Sequence, residues 1–294
     1  MSSDLEARLR RHIGTLAGDI GERNVRQPAA LHAAEAYIAG EFGALGYEVV
    51  RQTYLAYGVE SSNLEISIPG GERAGEIVLV GAHYDTVSGS PGADDNASGV
   101  AALIEIARAL RGERPPRTIK IVAFVNEEPP FFFWGDMGSK VYARAARRRG
   151  DDIRLMLSLE MLGFYSDAPR SQDYPPLLRW FYPERGNFIA FVSNLRSRQA
   201  LRAWVRTFRS HGDFPSESLA SPAIVPGVSW SDQLSFWRVG YPAVMVTDTA
   251  FYRYPHYHRS SDTPDRIRYP EMARVVDGLA RAIAAVASEA SPAR

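Results

Sequence analysis

The sequence predicts an α/β fold, a three-layer α/β/α sandwich around a central mixed, mostly parallel sheet. Short runs rich in Val, Ile and Leu recur at residues 76–82, 118–125, 154–162, 187–192 and 243–247, the texture of strands buried on both faces. Helical patterns separate these runs, and strands alternating with helices make a parallel sheet covered on both sides. The chain has 294 residues, 45% of them apolar, with no internal repeat and no long disordered linker. One domain over 1–294 is the simplest organisation. Surface loop insertions are expected around 129–138, 164–185 and 211–230, where Pro, Ser and Asp collect.

Taken in order, the start MSSDLEARLRRHIGTLAGDI interleaves charges with Leu5, Leu9, Ile13 and Leu16 at helical spacing. That is an amphipathic helix; a secretory leader needs an uninterrupted apolar run. A second helix is expected over 28–45, stopped by Gly46. Strand-like runs follow at 47–57 and 64–68, then the turn signal Pro69-Gly70-Gly71. Helices are expected over 98–110, 139–149, 197–210, 231–239 and 270–288. No stretch approaches the roughly 18 consecutive apolar residues of a membrane span. Lys plus Arg and Asp plus Glu both number 34. That balance argues against nucleic-acid or anionic-membrane partners, which select for excess positive charge. Cysteine is absent, so disulfides, thiolate metal ligands and a Cys nucleophile are excluded. A soluble, cytoplasmic protein is the expectation.

The chemistry is expected where the strands end. The run at 76–82 leads into His83-Tyr84-Asp85, that at 118–125 into Glu127-Glu128, that at 154–162 contains Glu160, and that at 243–247 leads into Asp248 and a loop holding His256 and His258. In an open α/β sheet ligands bind outside the carboxyl ends of the strands. Acids and imidazoles converging there with few Lys or Arg cannot neutralise one another, so a divalent cation is the natural partner. Oxygen and nitrogen donors without sulfur suit Zn, Mn or Co. Singly, each residue has an ordinary reading. A lone His83 is more often a hydrogen-bonded core histidine, and Asp94-Asp95 before a helix usually caps it. The joint order along the chain is what points to metal. H-E-x-x-H, G-x-S-x-G and G-x-x-x-x-G-K-[ST] are all absent.

The segments GAHYDTV (81–87), PGADDNASG (91–99), NEE (126–128), LEMLG (159–163), SDQ (231–233) and HRSSDT (258–263) resemble metallopeptidase family 28. That family comprises the co-catalytic dizinc aminopeptidases and includes glutamate carboxypeptidases and glutaminyl cyclases. The resemblance implies a zinc aminopeptidase-like fold and two Zn²⁺ per chain, with Mn²⁺ or Co²⁺ as substitutes. It implies His83, Asp94, Glu128, Glu160 and His258 as metal ligands, with Asp94 bridging through a cis Asp94–Asp95 peptide. His256 competes with His258 for its place. Glu127 is implied as the general base that activates a dimetal-bound hydroxide against the N-terminal bond of a peptide or amino-acid amide. Asp85, Asp95 and Asp262 are expected behind the ligands, Asp85 orienting the His83 ring.

Alternatives within the resemblance are a single-zinc glutaminyl cyclase and a non-peptide amide hydrolase. The sequence departs from the family where Glu160 replaces a common Asp, where Gln233 replaces His, and where Val228-Ser229-Trp230 holds no oxyanion-binding Tyr. Tyr252, Tyr254 and Tyr257 remain open as substitutes. The run Phe131-Phe132-Phe133-Trp134 predicts an apolar pocket wall and a preference for bulky apolar side chains.

Overall fold

The computed structural model describes residues 2–132, 135–176 and 178–289. Eight strands form one sheet: β1 Val50–Ala56, β2 Val59–Ile68, β3 Arg73–His83, β4 Arg117–Phe124, β5 Asp152–Glu160, β6 Ile189–Asn194, β7 Ser216–Ser221 and β8 Ala243–Thr247. Their order is β1-β2-β4-β3-β5-β8-β6-β7. The central β4-β3-β5-β8 block is parallel, β1 and β2 run antiparallel at one edge, and β6 pairs antiparallel with β8 and parallel with β7. The sheet is therefore mixed and mostly parallel, as the alternation of runs predicts.

Among the described residues seven α-helices cover it: α1 Ser2–Ile13, α2 Pro28–Ala44, α3 Gly99–Ala109, α4 Gly138–Arg149, α5 Arg198–His211, α6 Gln233–Arg238 and α7 Tyr269–Ser288. A π-helical stretch, Gly14–Ile20, continues α1. Strand alternation sorts the core into two layers. Val78, Val80, Ile119, Ile121, Leu155 and Leu157 pack with α1, α2, α3, α5 and α7. Ile77, Leu79, Val122 and Phe124 face the other way, onto Tyr142 of α4 and Phe236 and Trp237 of α6. Among the described residues no helix is long and apolar enough to cross a membrane.

Two expectations change. The 211–230 segment is not all loop: β7 lies inside it and closes one edge of the sheet. Its SESLAS sequence lacks the apolar run that marks the central strands, because an edge strand is only half covered. The aromatic run also divides. Phe131 is buried with Ala56 and Met137, its ring 5.2 Å from that of Tyr57, and Phe132 lines the cleft described below. Phe133 and Trp134 lie outside the described residues.

Candidate metal centre

The four parallel strands all end on one side of the sheet, so His83, the Asn126–Glu128 turn, Glu160 and Asp248 come to one edge. Between them enters the Asp94–Asn96 segment that leads into α3. His83 Nε2 lies 3.4 Å from Asp95 Oδ1 and 3.4 Å from Glu160 Oε2. His258 Nε2 lies 3.2 Å from Asp95 Oδ2 and 3.2 Å from Glu128 Oε1. Two three-residue clusters result, His83–Asp95–Glu160 and Asp95–Glu128–His258, each with its donor atoms within 4.8 Å of one another. Asp95 belongs to both, one carboxylate oxygen facing each.

This donor set fits a pair of divalent ions. Zinc bonds to N and O of about 2.0–2.1 Å put tetrahedral ligand atoms roughly 3.3 Å apart, the spacing of these four contacts. Asp95 Oδ1 and Glu128 Oε1 are buried without a hydrogen-bond partner, which a carboxylate tolerates when a cation faces it. Without the ions the electrostatics are strained. Burial, then the Asp95 charge, pushes Glu128 up to about 7. Burial also raises Glu160 and lifts Glu127 well above the carboxylate range. Burial pulls His258 down, but the Asp95 and Glu128 carboxylates outweigh it and hold the imidazole at about 10.

The shared position differs from the expected one. The sequence reading gave the bridge to Asp94 and a supporting place to Asp95; the geometry exchanges them, and the cis peptide is Asp95–Asn96. Asp94 turns away from the clusters. Its Oδ1 accepts the Gly163 N–H at 2.8 Å, and its carbonyl accepts the Ser98 hydroxyl at 2.7 Å. Burial, then Asp248 and Asp262, raises Asp94 well above its ordinary range. The rest of the motif is built around this turn. Gly92 adopts φ +62° where a side chain would strike the Asp95 carbonyl. Asn96 donates to the Leu159 carbonyl at 2.8 Å and accepts the Gly99 and Met161 N–H groups, both at 3.1 Å. The start of α3 is thereby tied to the end of β5.

Two aspartates clamp the ligand-bearing turns. Asp85 accepts the N–H of Glu127 at 2.9 Å and of Glu128 at 3.1 Å. The His83 ring meets Asp85 chiefly through the backbone: Nδ1 lies 3.2 Å from the Asp85 carbonyl and 3.6 Å from its carboxylate. Both Asp85 oxygen types thus face the His83 ring, the carbonyl closer than the carboxylate. Asp262 mirrors this, accepting the N–H of Asp94 at 2.9 Å and of Asp95 at 3.2 Å, and the Tyr254 hydroxyl at 2.7 Å. Asn126, at φ +59°, reverses the chain so that both glutamates face the cleft. His256 bonds Ser261 at 2.9 Å and belongs to neither cluster.

Sequence reasoning missed several partners. Ser231 donates to Glu160 Oε2 at 2.5 Å. Asp232 is fully buried, with neither carboxylate oxygen in a hydrogen bond of good geometry. The Arg23 guanidinium, also fully buried, donates to the carbonyls of Leu16, Gly21, Tyr84, Pro91 and Gly92. It staples both ends of the loop between His83 and Asp95. Only the SDQ motif hinted at the first two; Arg23 carries no local signal.

A cleft of ≈ 270 Å³ opens over the clusters, lined by Asp95, Glu127, Glu128, Phe132, Trp230 and Tyr257 among others. Glu160, Trp230 and Tyr257 also line a second, largely apolar pocket of ≈ 100 Å³ beside it. Tyr257 stacks on His258 with ring centroids 3.8 Å apart.

The sequence profile of Peptidase family M28 matches residues 63–283. The protein is 40% identical over 251 residues to "Uncharacterized protein YfbL" of Escherichia coli K12, covering 79% of this chain and 77% of that one. It is 26% identical over 233 residues to leucine aminopeptidase 1 of Fusarium vanettenii, covering 72% of this chain and 53% of that relative. The chain thus spans about half of the fungal enzyme's length. Among solved structures, a zinc aminopeptidase from Bacillus subtilis superposes with TM-score 0.77 at 15% identity, covering 96% of this chain and 95% of that one. A Bacteroides thetaiotaomicron glutaminyl cyclase gives 0.70 at 20% identity, covering 95% and 97%.

Proposed function

This chain belongs to peptidase family M28, and from that premise we propose that it is a two-metal aminopeptidase with Glu127 as its general base. The observation that carries the reading is the pair of clusters sharing Asp95, open to the same cleft as Glu127. His83, Asp95 and Glu160 would hold one ion; Asp95, Glu128 and His258 would hold the other. Divalent ions there would polarise the scissile carbonyl and lower the pKa of water. The remaining steps belong to the protein. Glu127 takes the proton of the attacking water on its carboxylate and passes it to the leaving amine. Asp85 keeps Glu127 in place through the backbone amide. Of the three tyrosines left open by the sequence, Tyr254 is committed to Asp262 and Tyr252 to the Pro226 carbonyl. Tyr257 lines the cleft and is the donor we assign to the developing oxyanion.

The test is metal content measured together with hydrolysis of an aminoacyl-anilide panel, in wild type and in Glu127→Gln. About two metals per chain, chelator-sensitive turnover, and a kcat lowered by roughly 10²–10⁴-fold with metal retained are expected. One metal with pyroglutamate formed from a glutaminyl peptide would reassign the enzyme as a cyclase. A chain that binds no metal would sink the reading altogether.

A further inference from the structure

Resting on the aminopeptidase reading, we infer that the pocket beside the metal centre is built for an N-terminal lysine or arginine, with Glu217 as the residue that selects its cationic tip. The pocket floor is one face of the sheet. Strand register aligns Glu160 of β5 with Thr247 of β8, Thr247 with Ala190 of β6, and Ala190 with Glu217 of β7. Register partners project to the same side of a sheet, and all four of these residues line the pocket. The next row, Met245, Val192 and Leu219, lines it as well and gives the floor its apolar character. The row therefore has a carboxylate at each end. Glu160 stands at the metal clusters, and Glu217 lies three strand spacings away, roughly 14 Å between backbones.

The charges in this pocket have one sign. Among the described residues that line it are Glu160, Asp173 and Glu217, with no Lys, Arg or His. Glu160 is committed to the clusters. Glu217 is half-buried and makes no hydrogen bond or ion pair with another described residue. The nearby Arg209 guanidinium is bonded to Ser216 instead. Burial raises the Glu217 carboxyl, with only Arg209 opposing it, as happens when an acid loses water without gaining a partner.

A substrate side chain can supply what is missing. A lysine stem of four methylenes spans roughly 6 Å from Cα to its ammonium. A residue whose carbonyl is held at the clusters would lay this stem along Met245 and Val192 towards Glu217, whose own side chain of roughly 4 Å and an ion pair of roughly 3 Å cover most of the remaining distance. Arginine reaches slightly further and can engage the carboxylate bidentately. Leucine fills only the near half of the row, and methionine fills its length but leaves Glu217 without a cation.

The test uses the zinc-loaded protein and the p-nitroanilides of leucine, methionine, lysine and arginine. Lysyl and arginyl substrates are expected to match or exceed methionyl in kcat/KM. Glu217→Gln is expected to lower the lysyl-to-methionyl ratio about tenfold, through KM. Each ratio is taken within one preparation, so a poorly folded variant loses both rates alike and leaves the ratio in place. Calorimetry with lysinamide and norleucinamide on the metal-free protein reads the same preference without turnover. Lysyl and arginyl rates below about one-hundredth of methionyl in wild type, or a ratio that Glu217→Gln leaves unchanged, would overturn the assignment while leaving the aminopeptidase reading intact. Failure to turn over any of the four would remove both.

Discussion

The candidate metal centre and the pocket beside it share Glu160, Trp230 and Tyr257 as walls, yet they are held together by different forces. At the candidate metal centre the acids behind the two clusters are tied to backbone amides. Asp85 clamps the Glu127 and Glu128 amides, Asp262 those of Asp94 and Asp95, and Asp94 the Gly163 amide. Buried polar groups must be satisfied, and each partner has a fixed place, so this end tolerates few residue types. The pocket is a sheet face roofed by aromatic rings such as Tyr252, Phe251 and Trp230, the last two 5.2 Å apart. Apolar walls can be exchanged for others of similar volume at modest cost. One end is constrained atom by atom, the other by shape and by one carboxylate.

The largest consequence of that difference is expected at Asp95. Because both clusters use it, Asp95→Asn should reduce metal content from about two per chain to below one and turnover by at least about 10³-fold. Asp94→Asn keeps a group of the same shape at a site where burial raises the carboxyl and no cluster uses it. It should retain both metals and lose less than about tenfold in activity, the lower end of effects from groups behind a ligand. Metal analysis of the two variants side by side decides the matter: an emptied Asp94→Asn and an occupied Asp95→Asn would reverse the assignment. A smaller effect is expected where the two regions meet. Tyr257→Phe should lower kcat about 10²-fold with metal content unchanged. A change confined to KM would instead make Tyr257 a wall of the pocket with no part in the chemistry.

The same contrast explains what the sequence made readable. The central strands announce themselves because they are buried on both faces, and the acids at their ends stand out against that apolar background. His83, Glu127, Glu128, Glu160 and His258 therefore stand out as candidates, and in the structure the last four line one cleft while His83 sits beside Asp95 and Glu160 beneath it. Which of the two adjacent aspartates faces the clusters was not visible. Asp94 and Asp95 have the same chemistry, and the choice depends on the Gly92 turn and on the Asn96 bonds to Leu159 and Met161, contacts about 65 residues apart in the chain. Strand β7 escaped because an edge strand needs no apolar run, and with it went Glu217. The aromatic run near Glu128 suggested a pocket wall, and only part of it is one: Phe132 lines the cleft, while Phe131 packs against Met137 in a small separate core.

The subtlest expected effect concerns Asp232, beneath the metal end, where burial works against the protein. Its carboxyl is raised from 3.8 to about 7, by burial first, with the pull of His83 and the Ser139 hydroxyl opposing and the charges of Glu160 and Asp85 adding. Neither oxygen has a hydrogen bond of good geometry. A carboxyl that binds its proton more tightly when folded than when unfolded loses stability as pH rises from the unfolded value towards the folded one. In the metal-free protein this penalty is absent near pH 4, grows between pH 4 and pH 7, and is fully present at pH 8. Asp248 and Asp262, each raised to about 6 by burial, act in the same direction over a slightly lower window. Asp232→Asn cannot ionise and has the same shape. Thermal melts of the metal-free variant should therefore coincide with wild type near pH 4 and rise above it by roughly 5 °C at pH 8, the scale of one or two kcal/mol in a chain of this size. Two parallel curves, offset equally at both pH values, would mean that Asp232 acts through packing, and that the strain of the metal end resides in the ligands themselves.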